Sequence, residues 1–314
     1  MIVGVVAVAT LSALVSEPGN VQTFVGKPIE ALPTPSPTQV NPRCERPDRE
    51  IYAGEIFEPF NRLTYRGYLI QTKHRTAKLH VPPEYGPPPK PVKVSYAVVK
   101  RRNRTIAKFD GDIYFPLGNS LTGGFFPLLN NGGKQLVISQ DIVKTGAQWV
   151  ADFSKGFKII FDGPKFQVGR ESDDMTIVDL DRDGISEIIV PLTAFYGFED
   201  WRLTTSDTPL PSIIFKYDSV QREYLPANPH FKECLSRDIE ADKKSLLSLN
   251  EEQSLGRLMS VVLDHVFTGE EERGWKFFDE SCKLPDKARI KEDMLKEVKE
   301  HPVYRHIYKK RVNR

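Results

Sequence analysis

A chain of 314 residues with 39% hydrophobic and 27% charged side chains has the make-up of an ordinary globular protein, so wholesale disorder is excluded. A formal net charge of +2 gives no reason to expect nucleic acid as a partner, because nucleic-acid binders concentrate positive charge. Three cysteines are too few for a disulfide scaffold.

Residues 1–16 open with an apolar run, Met1 to Val15, that carries no charged side chain. It is shorter than the roughly twenty residues a helix needs to cross a bilayer, and it matches the hydrophobic region of a secretory signal. The expected destination is therefore periplasmic or extracellular, and the chain is not expected to be an integral membrane protein. A buried N-terminal strand is the other reading. Residues 17–49 contain Leu32-Pro-Thr-Pro-Ser-Pro-Thr38, which cannot be helical and suits an extended linker. Export would permit one disulfide. Cys44 with Cys234 would tie together the ends of the region that follows, Cys234 with Cys282 is the rival, and three free thiols are the third possibility.

Between 50 and 235, short runs of Val, Ile, Phe and Tyr alternate with Gly, Pro and Asn clusters. This predicts strands at Lys93–Lys100, Thr105–Phe109, Lys134–Ser139, Gln148–Phe153, Phe157–Phe161, Glu187–Pro191 and Ser212–Tyr217. Pro82 to Pro91 is predicted as a surface loop. Phe109-Asp-Gly111 recurs 52 residues later as Phe161-Asp-Gly163. At the same offset, Asn131-Gly-x-x-Gln-Leu-Val-Ile138 aligns with Asp183-Gly-x-x-Glu-Ile-Ile-Val190. A period near fifty suits a four-stranded propeller blade, which must stack on a neighbour to bury its faces. The region supplies only about three and a half such periods, fewer than the four blades with which propellers typically begin. The expected fold is mainly β with a helical C-terminal region. Its sheets would be propeller-like stacked antiparallel blades, closed or incomplete, with a twisted β-sandwich as the alternative.

Residues 236–314 read as helical. Leu255, Leu258, Met259, Val262, Leu263 and Val266 line one helix face, with Asn250 as an N-cap and Gly269 as a stop. A second helix is predicted over Glu270–Ser281 with Trp275, Phe278 and Cys282 inward. A third, over Asp286–Glu300, presents Ile290, Met294, Leu295 and Val298, with Pro302 ending it. The last ten residues, with five basic side chains and no acid, read as a solvated tail.

Residues 179–187 read Asp-Leu-Asp-Arg-Asp-Gly-Ile-Ser-Glu. Carboxylates at positions one, three and five converge only if the backbone curls tightly, and Gly184 permits that curl. The Ile185 carbonyl and the Glu187 side chain can add further oxygens. Hard oxygen donors in this number suit Ca²⁺, whereas zinc would want His or Cys. Position twelve is Val190, where an EF-hand needs Glu, and the flanks look like strands rather than helices.

The Asp179-x-Asp-x-Asp-Gly-x-x-Glu187 loop followed by Ile188-Ile-Val190, with Phe166-x-Val-Gly169 upstream, resembles the FG-GAP/VCBS repeat family of calcium-loop propeller blades. The resemblance implies a blade with Asp179, Asp181, Asp183, Ile185 and position nine around calcium. Position nine here is Glu187, where that family usually has Asp. A degenerate copy covers Phe125 to Gly163, where Leu129-Asn-Asn-Gly132 lacks carboxylates and is not expected to bind metal.

No phosphate loop, dinucleotide fingerprint or metal-spaced histidine pair is present. Gly118-Asn-Ser120-Leu-Thr-Gly123 lacks nucleophile-elbow spacing and is predicted as a hairpin loop. Tyr65, Tyr68, Trp149, Tyr196, Phe198 and Trp201 suit core packing better than a glycan groove. No catalytic residue is assigned. The expected function is an exported, non-catalytic binding or scaffold protein for a protein or glycan ligand. The alternatives are a secreted hydrolase or lyase with loop-borne catalytic groups and an envelope assembly protein docking through its C-terminal helices.

Overall fold

A computed structural model describes residues 51–52, 58–77, 91–111, 119–142, 147–169, 175–195, 198, 203, 208–246 and 251–312. The chain divides into two units, Met1–Gln39 and Val40–Arg314, and every described residue belongs to the second. The apolar start, the proline-rich linker, Cys44, most of the Pro82–Pro91 loop, Tyr196, Trp201 and Asn250 lie outside the described residues.

Among the described residues, fourteen strands form three antiparallel sheets. One sheet runs β3 (Arg62–Tyr65), β4 (Tyr68–Ala77), β5 (Val92–Arg101), β6 (Arg104–Phe109). The middle sheet runs β10 (Lys158–Asp162), β9 (Ala147–Asp152), β8 (Gln135–Ile142), β7 (Asn119–Phe126), β2 (Glu58–Pro59). The third runs β1 (Ile51–Tyr52), β11 (Thr176–Val178), β12 (Glu187–Pro191), β13 (Ser212–Asp218), β14 (Glu223–Pro226). The chain thus lays single short strands on the edges of the third and middle sheets, builds the first sheet whole, and returns to complete the other two.

Period-two alternation explains the layering, since successive side chains of a strand face opposite sides. Leu136, Ile138, Trp149 and Ala151 of the middle sheet pack on Tyr68, Ile70, Val99 and Phe109 of the first. Val137, Val150 and Phe161 point the other way, into a core shared with Ile177, Ile188, Val190, Ile213 and Phe215 of the third. The middle sheet is buried on both faces, which is why its strands read as nearly continuous apolar runs. The three sheets pack face to face and, among the described residues, do not close into a ring.

Two expectations are corrected. Asn119–Phe126 is a strand rather than a hairpin loop. A Cβ at Gly123 would stand 2.5 Å from the Val137 carbonyl oxygen and 3.1 Å from Phe60, so the glycine allows close strand approach, not a turn. The basic C-terminus is not a free tail either. Helices α2 (Lys232–Leu246), α3 (Glu251–Phe267), α4 (Glu271–Ser281) and α5 (Lys287–Glu300) follow α1, a single turn at Gly163–Phe166. Pro302 ends α5 and also opens α6 (Pro302–Val312), where a missing amide hydrogen costs nothing. Val303 and Ile307 of α6 are buried in the same core as Trp275, Phe278, Ile290, Met294 and Val298. Against the outer face of the third sheet, α2 places Leu235 beside Val178, Leu180, Ile214 and Phe231. Cys234 is disulfide-bonded and Cys282 is a buried free thiol, which removes the Cys234–Cys282 pairing.

His301, between α5 and α6, is 2% exposed, and its ring meets that of Phe267 with centroids 6.1 Å apart. Burial lowers its pKa to about 4. A buried neutral imidazole contributes stability that is fully present above its unfolded pKa near 6.5 and is lost as pH falls toward 4. We expect denaturant melts to lose up to about 3 kcal/mol across that window, and a His301→Asn variant to lack this slope.

Candidate metal centre

Residues 179–186 join β11 to β12 at the end of the third sheet, and Glu187 opens β12. The Asp179 carboxylate accepts the backbone amides of Asp183 at 3.1 Å and Gly184 at 2.9 Å, which closes the curl. Asp183 Oδ1 accepts the Ile185 amide at 2.8 Å. Gly184 sits at φ +82°, where a residue with a Cβ is strained. Glu187 is fully buried, and its Oε2 accepts the Leu180 amide at 2.8 Å.

A related loop without carboxylates occurs 52 residues earlier. Asn131 Oδ1 accepts the Gly133 amide at 2.9 Å, as Asp183 does for Ile185. Gly132 is at φ +68°. Gln135 Oε1 accepts the amides of Leu128 at 2.9 Å and Leu129 at 3.1 Å, the part Glu187 plays for Leu180. The two loops lie against each other through the Ser186 amide and the Leu128 carbonyl, 2.9 Å apart. Amides therefore suffice for the bonds that Asp183 and Glu187 make, whereas Pro127 stands where Asp179 accepts two amides, and Arg182 is left-handed at φ +60° where Asn130 is not.

Across β12–β13 the charge is met by Lys216. Its Nζ lies 2.6 Å from Asp181 Oδ2, 2.7 Å from Asp183 Oδ2 and 3.2 Å from Glu187 Oε1. His230 Nε2 is 3.5 Å from Asp181 Oδ2. In the first loop the strand partner of Gln135 is Asp152, bound by its Nε2 at 3.2 Å, so the residue opposite changes sign with the loop. Burial raises the Glu187 pKa to about 7. The Leu180 amide and Lys216 oppose that shift, and the Asp181 carboxylate adds to it. Lys216 is held above its ordinary pKa by hydrogen bonds to Asp181 and Asp183, against the effect of its burial.

Asp179, Asp181 and Glu187 bring one oxygen each within 4.8 Å of one another, a triad that could hold a metal ion. Asp181 Oδ1 is buried and has no hydrogen-bond partner. Asp183 also meets Lys216 and is not one of the three converging residues, and the Ile185 amide donates to Asp183 Oδ1. Lys216 and His230 were not legible as site residues. Cross-strand pairing 29 residues downstream of Glu187 carries no local motif. Comparison of the chain with protein-family models, curated proteins and solved structures finds no match.

The duplicated loop offers a controlled test of the turn. Gly184→Ala is expected to cost about 1–2 kcal/mol in denaturant melts, because a left-handed backbone is combined with a Cβ 3.0 Å from Asn130 Nδ2. Gly132→Ala meets open space and should cost less.

Proposed function

We propose that the chain is an exported, non-catalytic binding or scaffold module of the FG-GAP/VCBS type, with calcium as the cation of the 179–187 loop. The observation that carries this reading is the convergence of the Asp179, Asp181 and Glu187 oxygens in a loop whose carboxylate-free twin makes the Glu187 turn contact through Gln135 instead. Four carboxylates gathered by one bend repel one another, and a single ammonium answers only part of their charge. Hard oxygen donors in this number favour Ca²⁺, whose coordination is less strict than that of Mg²⁺. A disulfide at Cys234 fits an oxidising compartment. The α4–α6 helices place their apolar faces in the main core, which gives less support to partner docking through them.

Calorimetric titration with Ca²⁺ and melting in calcium against chelator test the reading. A dissociation constant in the weak extracellular range, about 10⁻⁴–10⁻³ M, is expected. Tenfold excess over that constant would add about 1.4 kcal/mol and raise the melting point by a few degrees. Asp181→Asn should abolish the shift. Identical melts for the wild-type chain in calcium and in chelator would defeat the proposal.

A further inference from the structure

The first sheet holds a second, oppositely charged feature. Between residues 61 and 109 there are twelve Lys and Arg against a single Glu, in a chain whose net charge is only +2. Their placement is more telling than their number. The β3–β4 turn at Arg66-Gly67 and the β5–β6 turn at Arg102-Asn103 are both tight left-handed turns, with φ of +48° and +77° in the first and +48° and +66° in the second. Tyr65 pairs with Tyr68, Tyr68 with Arg101, and Arg101 with Arg104, so both tips stand at the same end of the sheet.

Other loops join them there. Phe153, which leads into the β9–β10 turn, lies 5.7 Å from the Tyr65 ring and 5.0 Å from Tyr68, which brings exposed Lys155 to this end. The Lys134 amide donates to Tyr65 Oη at 2.9 Å. The β13–β14 turn is tied in through Gln221, whose carbonyl accepts Lys158 Nζ at 2.6 Å, and through Arg222, 3.5 Å from Asp152. At its tip Val220 is 92% exposed.

Arg66, Arg101, Arg102, Arg104, Lys134 and Lys155 are all exposed. Among the described residues none of them has a carboxylate partner, whereas Arg75 and Lys108 of the same sheet share Asp110. The nearby acids are already engaged. Asp152 is buried against Ser154 and Gln135, and Asp218 holds the amides of Val220 and Gln221. The 179–187 loop stands at this same end of the third sheet, where Asp179 holds the amides of Asp183 and Gly184, and Asp181, Asp183 and Glu187 meet Lys216. Cations without carboxylate partners on several tips, at the same end of the sheets as an exposed valine, form a surface for an anionic layer with an apolar interior beneath it.

We infer that this end of the molecule docks on a lipid bilayer bearing anionic headgroups, with the arginines and lysines on phosphates and Val220 entering the interface. The observations disfavour nucleic acid. Tyr65 and Tyr68 lie under Arg66 and Arg101 and pack on Phe153, so neither ring offers a free face for a base. Nor does a phosphate backbone relieve the exposure of Val220. The inference does not depend on a metal in the acidic loop.

The test is co-sedimentation of the full chain with phosphatidylcholine vesicles, with and without phosphatidylglycerol, in chelator so that no divalent bridge contributes. Binding is expected only with the anionic lipid and should weaken with added salt. Each cation near such a surface is worth about fivefold in partition. The Arg102→Glu/Arg104→Glu pair should therefore bind at least tenfold more weakly, and Val220→Ser more weakly than wild type. Arg273→Glu/Arg289→Glu on the helices should bind as wild type does. Lys155→Glu, on a separate tip, decides the matter if the arginine pair lowers the melting point. Absence of binding to anionic vesicles, full binding by the tip variants, or displacement from vesicles by a DNA or RNA duplex would overturn the inference.

Discussion

Lys216→Met is expected to convert the 179–187 loop from a cluster partly neutralised by its own lysine into one that depends on calcium far more strongly. Met keeps most of the stem and removes only the charge. In chelator, Asp181, Asp183 and Glu187 would then face one another with no cation between them. Removing one partner of a buried pair costs about 3–5 kcal/mol, and because Lys216 is 26% exposed and Glu187 can take up a proton, about 2 kcal/mol is a better expectation. Calcium should more than restore that loss. In the wild-type chain an ion must displace an ammonium that already lies 2.6–3.2 Å from three carboxylates, whereas calcium needs oxygens at about 2.3–2.6 Å in the same space. With that competitor gone, the calcium affinity should rise at least tenfold, and at a hundredfold excess over the new dissociation constant the ion should add about 2.7 kcal/mol. Melting in calcium and chelator, read beside a terbium titration, measures both effects. A variant that melts at the same temperature in both would mean that the loop gathers acids without serving a divalent cation.

What the sequence disclosed follows from how local each signal is. Strand runs such as Glu187–Pro191 and the helix faces carrying Leu258, Met259, Val262 and Val266 are patterns within one element, and they appear where expected. The 52-residue repeat is also local to each copy, and in the structure two side-chain contacts of one loop recur in the other, Asn131 standing for Asp183 and Gln135 for Glu187. By contrast, α2 buries only Leu235 and Ile239, too thin an apolar stripe to stand out. The α6 helix was hidden behind Pro302, which reads as a stop but also serves as a first residue. Lys216 could not be assigned to the loop because strand register, which sequence does not print, sets it opposite Glu187. The basic end was legible in principle. A net charge taken over the whole chain averages twelve clustered cations against the acids of the remainder, and a windowed count would have shown them.

Glu187→Gln separates the loop's structural part from its electrostatic part. Gln135 already shows that an amide at this position can hold the turn, so the variant should fold and keep its bond from the Leu180 amide. Its effect should depend on pH. Burial raises the folded-state pKa of Glu187 from 4.5 to about 7, so between those values the folded state binds a proton that the unfolded chain does not. Wild-type stability therefore falls as pH rises through that window, by up to about 3 kcal/mol, and the Gln variant lacks this slope. In chelator at pH 8 the variant should be the more stable protein, while below pH 4.5 the two should converge. Calcium should reverse the order, because the ion favours the ionised carboxylate and the variant loses the one fully buried ligand of the triad. Urea melts at pH 5 and pH 8, each in chelator and in calcium, contain all of these comparisons. If the variant were less stable than wild type at pH 8 in chelator, Lys216 alone would be balancing the buried charge, and a metal would have no deficit to fill.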